Sequence, residues 1–453
     1  MGVHSLHFDE LSIKALLDAL VEGEKFKPSQ VAKREVFRRY GILGTDLDRV
    51  LTAVMYKLNR KLGLVDKVLR NQGIDVDSLD PYSRWLLRVY IYSRIFSEVR
   101  EGSFRRALKV YGPIVVAERS GNEAAWRTRE LLRKLESKAL KYEPKGVEEV
   151  LELKYSVSSW LIKKLISMLG REEAEQFLQA INRIPSLGLR VNSLRNVDVH
   201  QVLKELNALG VNAWISPYVP CVIKYRGRLN YENFDLLRRG DVIPQDDSSA
   251  LAALILDPKP GEVVVDMCAA PGGKTEHMGE LMRNKGLIIA IELYKDRALY
   301  LKALLKRAGI DIAEVVQGDA TKASEMLGRN IADKVLLDPP CSSTGALAKH
   351  GEARWRVDVE RLSKLVELQK ALLREGIELL KCGGKLLYCV CSVLPEEGEE
   401  VILWALREFK HSIRLVKIEG PYSEGMIPGT LRAWPHKHDT TGFFYALLEK
   451  ICT

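Results

Sequence analysis

Two stretches of this chain place cysteines where thiol chemistry is possible: Asp338-Pro-Pro-Cys-Ser-Ser-Thr-Gly345 and Tyr388-Cys-Val-Cys-Ser392. A thiolate is a soft nucleophile and also leaves readily. Each stretch closes a short apolar run, Lys334–Leu337 in one case and Gly384–Val390 in the other, so Cys341 and Cys391 fall at the ends of expected strands. If Val390 points into the sheet, alternation sends Cys389 and Cys391 to one side, with Cys389 packed beneath the site. The chain has seven cysteines in 453 residues, an odd number and too few for a disulfide framework, so a reducing compartment is expected. Cys221, Cys382 and Cys452 lie in or beside apolar runs and read as small buried hydrophobes. No C-x-x-C pair or ligand-spaced histidine accompanies Cys389-Val-Cys391, so no metal is expected.

A third stretch, Asp266-Met-Cys-Ala-Ala-Pro-Gly-Gly-Lys-Thr275, follows another apolar run. Its small residues let backbone approach a ligand closely, and the helix after it offers free amides. Two readings compete. Gly273-Lys274-Thr275 fits the end of a nucleotide-hydrolase phosphate loop, with Val335–Asp338 as the magnesium-holding strand, but Cys268 stands where that loop needs glycine. The other reading is a loop that binds a nucleoside without phosphates. Glu292 ends the next strand about twenty residues on, where a carboxylate accepts from ribose hydroxyls. Asp319, in Gln317-Gly-Asp319 at the end of the third, can accept from an adenine amine. Together they favour the second reading, for which S-adenosylmethionine is the common ligand. The plainer alternative is that both acids cap the helices that follow.

The elements that must position these residues come in three groups. Residues 1–145 read as helices only. Leu47, Val50, Leu51, Val54, Met55, Leu58 and Leu62 recur at intervals of three and four, forming one apolar face. Asp80-Pro81 fits an N-cap with proline at the first helical position. Gly112-Pro113 is expected to break the next helix, and Asn122 to open another ending near Ser137. Lys141–Gly146 reads as a linker. Residues 146–245 mix helices (Trp160–Leu169, Glu172–Ile181) with extended runs at Gly188–Asn192, Val211–Ile215 and Cys221–Tyr225, a small α+β module. From Pro258 onward, runs at Glu262–Met267, Gly286–Ile291, Ala313–Gln317, Lys334–Leu337 and Gly384–Val390 alternate with helix-period segments. That pattern means βαβ units around a buried parallel sheet, whose ligands sit beyond the carboxyl ends of the strands.

Net charge is +9, and it is lopsided. Residues 1–150 hold 28 Lys and Arg against 21 Asp and Glu, a surplus of seven, while the remaining residues carry only +2. A basic arm suggests a polyanion, with nucleic acid foremost. Arg34, Arg38, Arg39, Arg49, Lys57, Arg60 and Lys61 form one basic cluster, and Arg94, Arg100, Arg105, Arg106 and Lys109 a second. The plainer reading is that these are solvated helix faces. No segment approaches the ~20 apolar residues a membrane helix requires. The opening MGVHSLHFDELSIK lacks the form of a secretory signal, so a cytoplasmic protein is expected.

At this point the sequence resembles the Fmu/Sun family of RNA (cytosine-5) methyltransferases along nearly its whole length. Leu189-Arg-Val-Asn-Ser-Leu194 and Gln245-Asp-Asp-Ser-Ser249 are similar to the family's pre-catalytic signatures, and Asp266–Thr275 and Leu337–Gly345 match almost letter for letter. Arg432-Ala-Trp-Pro-His-Lys-His-Asp-Thr-Thr-Gly-Phe-Phe444 is similar to its closing motif, and the N-terminal helices resemble the NusB-like RNA-binding domain of one branch. The fold implied is a NusB-like all-α bundle (1–145), a small α+β subdomain (146–245) and a Rossmann-like α/β methyltransferase domain (246–453). The cofactor implied is S-adenosylmethionine, bound by Cys268, Ala269, Ala270, Pro271, Gly272, Gly273, Lys274, Glu292, Arg297, Asp319, Asp338 and Pro340, with Arg297 also anchoring its helix beside Glu292.

The resemblance assigns attack on cytosine C6 to Cys391 and adduct breakdown to Cys341. DNA cytosine-5 methyltransferases attack with the Pro-Cys thiol instead, so residue chemistry alone leaves the two open. Asp338 and Lys274 are implied to meet the charge on the base, and Lys274 to lower a cysteine pKa. The family usually has Tyr-Ser-Thr-Cys-Ser where this chain has Tyr388-Cys-Val-Cys-Ser392. His436 and His438 either approach the cleft or, with Lys437, form a solvated basic turn. The expected protein is a monomeric enzyme making 5-methylcytosine in structured RNA, ribosomal ahead of transfer RNA. A non-catalytic ribosome-assembly factor and a nucleotide hydrolase are the alternatives.

Overall fold

The computed structural model describes residues 8–25, 29–97, 102–227, 229–231 and 234–452. The opening residues 1–7 and Arg100 of the second basic cluster lie outside the described residues. The chain forms two compact units, Met1–Leu165 and Ile166–Thr453. The helix Val147–Tyr155 falls in the first of these, tied by the ion pair of Lys67 with Glu152 at 2.5 Å. This two-part division is coarser than the three-part reading with boundaries at 145 and 245. The stretch 139–145 has no regular structure.

The described part of the N-terminal unit is helical. The helix Asp46–Asn71 turns Leu51, Val54, Met55, Leu58 and Leu62 into the core, so the three-and-four spacing does mark its buried face. Thr45 caps its start by accepting from the Asp48 amide at 3.3 Å. Asp80 accepts from the amides of Tyr82 and Ser83 at 3.0 and 3.1 Å, with Pro81 opening the helix Pro81–Ile91. The expected break at Gly112-Pro113 does not occur: Gly102–Ser120 is one helix with Pro113 inside it. Proline costs a backbone bond in a helix interior. Here Phe104, Ala107 and Leu108 before it and Val115 and Val116 after it are all buried, and that burial carries the helix through. Gly112 is needed for the packing, because a Cβ there would meet the Leu86 side chain at 2.5 Å.

The second unit begins its sheets with β1 (Leu187–Val191), β2 (Asn212–Ile215), β3 (Val222–Arg226) and β4 (Val242–Pro244). These form an antiparallel sheet in the order β2-β3-β1-β4. The first three match the expected extended runs, and β4 is additional. The helix before them, Ser159–Ala180, is broken at Gly170, whose φ of 76° is left-handed, as expected from two separate helical segments.

The large sheet comprises β5 (Val263–Asp266), β6 (Leu287–Glu292), β7 (Ala313–Gln317), β8 (Ala332–Leu337), β9 (Leu380–Val390), β10 (Ile413–Val416), β11 (Ser423–Glu424), β12 (Leu431–Ala433) and β13 (Phe443–Lys450). Its order is β11-β12-β13-β9-β8-β5-β6-β7, with β10 also paired to β13. Strands β5 to β9 are parallel, as the alternation predicts. The sheet is not wholly parallel, however: β13 runs antiparallel to β9 and carries β10 and β12 antiparallel on its other edge. Strand β9 shows the two-sided burial plainly. Leu386, Tyr388 and Val390 pack into one core, and Leu387 and Cys389 into the other, where the partly buried Cys391 joins them. The expected side-sharing of Cys389 and Cys391 follows from this alternation.

Candidate active site

The carboxyl ends of β9, β8, β5, β6 and β7 lie side by side, and each ends in one of the stretches singled out above. In the β8–β9 register Leu337 faces Tyr388, so Pro340 and Cys391 lie equally far beyond the last ladder pair. The result is a pair of thiols: Cys341 Sγ and Cys391 Sγ are 3.3 Å apart, with neither in a disulfide. Cys391 also lies 3.7 Å from Ser343 Oγ.

The two sulfurs do not titrate alike. The hydrogen bond with Cys341 holds the Cys391 thiol below its ordinary range, with help from Ser343 and Lys274 and against burial and the Asp338 charge. The same contact pushes Cys341 well up, together with burial and the nearby acids Glu397 and Asp338. The pair is thus biased toward ionisation at Cys391, with the Cys341 thiol favoured in its protonated form.

Lys274 comes from the first turn of the helix Gly273–Leu281 and pairs with Asp338 at 2.5 Å. Burial works against its charge, but Asp338 more than compensates and keeps it an ammonium. It also lies 5.4 Å from the Phe443 ring centre. Beneath it, Thr275 Oγ1 donates to the buried Asp266 at 2.7 Å. Burial pushes the Asp266 carboxyl up to about 6 against the pull of Thr275 and Lys274. Both residues that a phosphate loop would turn toward a triphosphate are thus engaged with carboxylates.

The turn from β5 into this helix holds Cys268, Ala269 and Ala270 against the core, with Pro271 exposed. Gly272 has φ +123° and leaves no room for a Cβ, which would meet Leu301 at 2.6 Å. Glu292 is buried and accepts from the Tyr294 amide at 3.1 Å. It pairs with Arg297 at 3.3 Å, and Arg297 in turn donates to the Ala270 carbonyl at 2.8 Å. Arg297 thus joins the loop to the second strand end, as its expected anchoring role requires. Among the described residues no hydrogen bond uses Glu292 Oε2, so a ribose hydroxyl can donate there. Asp319 accepts from the amide and hydroxyl of Thr321 at 2.9 and 2.8 Å, so it caps the turn after β7 while remaining exposed. This donor set fits a nucleoside: a buried carboxylate, small residues against the ligand path and a second acid at the rim.

The pre-catalytic signatures brace this loop. Arg190, fully buried, donates to Gln245 Oε1 at 2.5 Å and to the Gly273 carbonyl at 3.3 Å, and pairs with Glu280. Asp246 pairs with Lys349 and accepts from Thr441, which ties the closing motif to the same wall. His436 and His438 do not form a solvated turn. His436 is enclosed by Phe177 and Trp434 with Nε2 3.1 Å from Glu173, and His438 accepts from the Trp434 amide at 2.8 Å. Two further corrections concern cysteines: Cys382 and Cys452 are exposed rather than buried, and they form a disulfide. Among the described residues no group of His, Cys, Asp or Glu is arranged to hold a metal.

Of the first basic cluster, Arg38, Arg39 and Arg49 pair with Glu35, Glu22 and Asp46. The second gathers around a cleft of about 650 Å³ in the N-terminal unit, lined by Arg94, Arg105, Arg106 and Lys109 with Tyr90 and Glu136. Sequence reasoning missed Gln369 and Glu397, both fully buried beside the thiols. The only local hint is an acid in Pro395-Glu-Glu397, six residues past Cys391.

Comparison with known proteins bears on all of this. A family model described as 16S rRNA methyltransferase RsmB/F matches residues 253–449, and a model of the ferredoxin-like domain of RsmF/B-like methyltransferases matches residues 157–231. The chain is 32% identical over 296 residues to the probable ribosomal RNA small subunit methyltransferase B of Bacillus subtilis, covering 64% of this chain and 66% of that protein. It is 33% identical over 302 residues to the tRNA (cytosine(49)-C(5))-methyltransferase of Pyrococcus abyssi, covering 64% and 96% respectively. The crystal structure of PH0851 is similar at a TM-score of 0.88 and 40% identity, covering 99% of this chain and all of that one.

Proposed function

The chain belongs to the RsmB/F family of RNA methyltransferases, and from that membership we propose how its own residues carry the reaction and which RNA they serve. It is an S-adenosylmethionine-dependent RNA (cytosine-5) methyltransferase. The donor, when bound, supplies an electrophilic methyl group on a sulfonium. Cytosine C5 is a poor nucleophile, and this chain's task is to make it electron-rich. In our reading the Cys391 thiolate forms a bond to C6, the C5–C6 electron pair moves onto C5, and charge develops toward N3 and O2 of the ring. Lys274 and Asp338, paired beside the thiols, meet that charge and orient the base. Once C5 carries the methyl group, its proton leaves to water, the C5–C6 double bond re-forms, and Sγ departs as thiolate. The Cys341 hydrogen is already placed to stabilise that departing thiolate. The contact of 3.3 Å between Cys341 and Cys391 is the observation that carries this reading. The base must leave its stack to reach the pair.

The N-terminal helices act, in this reading, as a NusB-like RNA-binding domain that grips phosphates with the cleft around Arg105 and Arg106. Ribosomal RNA is the substrate that the family description favours, and we further propose that the enzyme works as a monomer in the cytoplasm. The similarity to a tRNA enzyme, which spans nearly all of that relative, supports transfer RNA as the second reading. Incubation with total RNA and labelled donor, followed by bisulfite mapping, tests both. Cys391→Ala is expected to abolish 5-methylcytosine and Cys341→Ala to accumulate a covalent protein–RNA adduct. Swapped outcomes would reverse the two thiols.

A further inference from the structure

Behind Cys341 the backbone is held from both sides. Gln369, on the helix Val359–Leu379, donates from Nε2 to the Pro340 carbonyl at 3.0 Å. Glu397, in the turn after β9, accepts from the Ser342 amide at 2.8 Å and from the Ser342 hydroxyl. The two side chains also meet, Gln369 Nε2 donating to Glu397 Oε1 at 3.1 Å. We propose that Gln369 and Glu397 are positioning residues that clamp the peptide on either side of Cys341 and hold its thiol against Cys391 for release of the product.

Three observations support the clamp. First, Glu397 is fully buried, yet every partner it has among the described residues is a neutral donor. The nearby guanidinium of Arg432 goes to Glu399 instead, at 2.7 Å. A buried carboxylate without a cation is costly to keep, and its charge here lies beside a thiol that must stay protonated. Second, the clamp reaches both cysteine loops. Having given its one hydroxyl hydrogen to Glu397, Ser342 accepts from Ser392, the residue after Cys391, at 3.2 Å. Thr344 lies 3.0 Å from the same Ser392 hydroxyl and accepts from the Val393 amide at 3.1 Å. Third, Glu397 is itself fixed: the buried Tyr388 hydroxyl, on β9, donates to its carbonyl at 2.6 Å.

The inference rests on the reading of Cys341 as the residue of adduct breakdown, and the test separates the two. Purified full-length enzyme and the variants Cys341→Ala, Glu397→Gln and Gln369→Leu are given RNA and labelled donor. Covalent adduct is counted on denaturing gels through a single turnover, alongside thermal midpoints. Glutamine at 397 keeps the volume but cannot accept from both Ser342 groups. Leucine at 369 removes the donor to Pro340 and serves if the first variant folds poorly. Both are expected to form adduct somewhat more slowly, because the Cys341 contact also favours the Cys391 thiolate, and to break down the adduct that has formed about tenfold more slowly than the wild type, the size of one lost charge-assisted hydrogen bond. If Cys341→Ala accumulates adduct while Glu397→Gln and Gln369→Leu merely lose turnover, the clamp is overturned and the thiol assignment stands. If Cys341→Ala accumulates none, both fall.

Discussion

Cys391 and Cys341 are chemically the same group, and position alone separates them. Both share one contact, but the Cys391 sulfur also lies near Ser343 and the Lys274 ammonium, while the Cys341 sulfur lies near the buried Glu397. On the proposed role of Cys391 the reactive form is its thiolate, and because its titration is lowered, activity should rise with pH along a limb whose midpoint lies below the ordinary thiol value of about 8.5. Lys274→Met removes the cation and should move that limb to higher pH while lowering kcat. Rates of methyl transfer measured across the acid and alkaline range check both, and a limb at or above the ordinary thiol value would count against the assignment.

Among the elements, the glycine that joins the two cysteine loops matters most. Gly345 donates its amide to the Cys391 carbonyl at 2.9 Å and accepts from the Gly442 amide at 2.9 Å. A Cβ at 345 would meet the Gly442 carbonyl oxygen at 2.0 Å, and backbone cannot move aside as a side chain can. Gly345→Ala should therefore cost about 1–3 kcal/mol of stability and reduce turnover further by shifting both thiols, as denaturant unfolding and initial rates would show. Much of this architecture was legible beforehand. The runs that became β5 to β9 alternate with helices in plain view, and the acids and cysteines at their ends stand in the sequence where the sheet places them. The antiparallel strands β10 to β13 were not legible, because short runs such as Leu431–Ala433 carry little local signal and are held by β13. Pro113 misled because a local cost lost to burial on both flanks. Gln369 and Glu397 were invisible because residues 340, 369 and 397 converge only in the folded sheet.

On the scale of the whole molecule, the exposed disulfide between Cys382 and Cys452 joins the start of β9 to the residues after β13, 70 positions apart. A closed loop of that length restrains the unfolded chain by about 4 kcal/mol in the chain-entropy account. Dithiothreitol should lower the thermal midpoint of the wild type and leave a Cys382→Ser variant unmoved, with methyl transfer at moderate temperature unaffected in both. Strand order has one more effect, on biosynthesis. Strand β9 lies between β8, already made, and β13, which begins at Phe443. At ribosomal speeds of about 5–20 residues per second, several seconds pass in which β9 has an open flank. During that interval a nascent polypeptide presents a bare strand edge open to stray pairing, so early chaperone cover over this part of the chain would guard the yield of active enzyme.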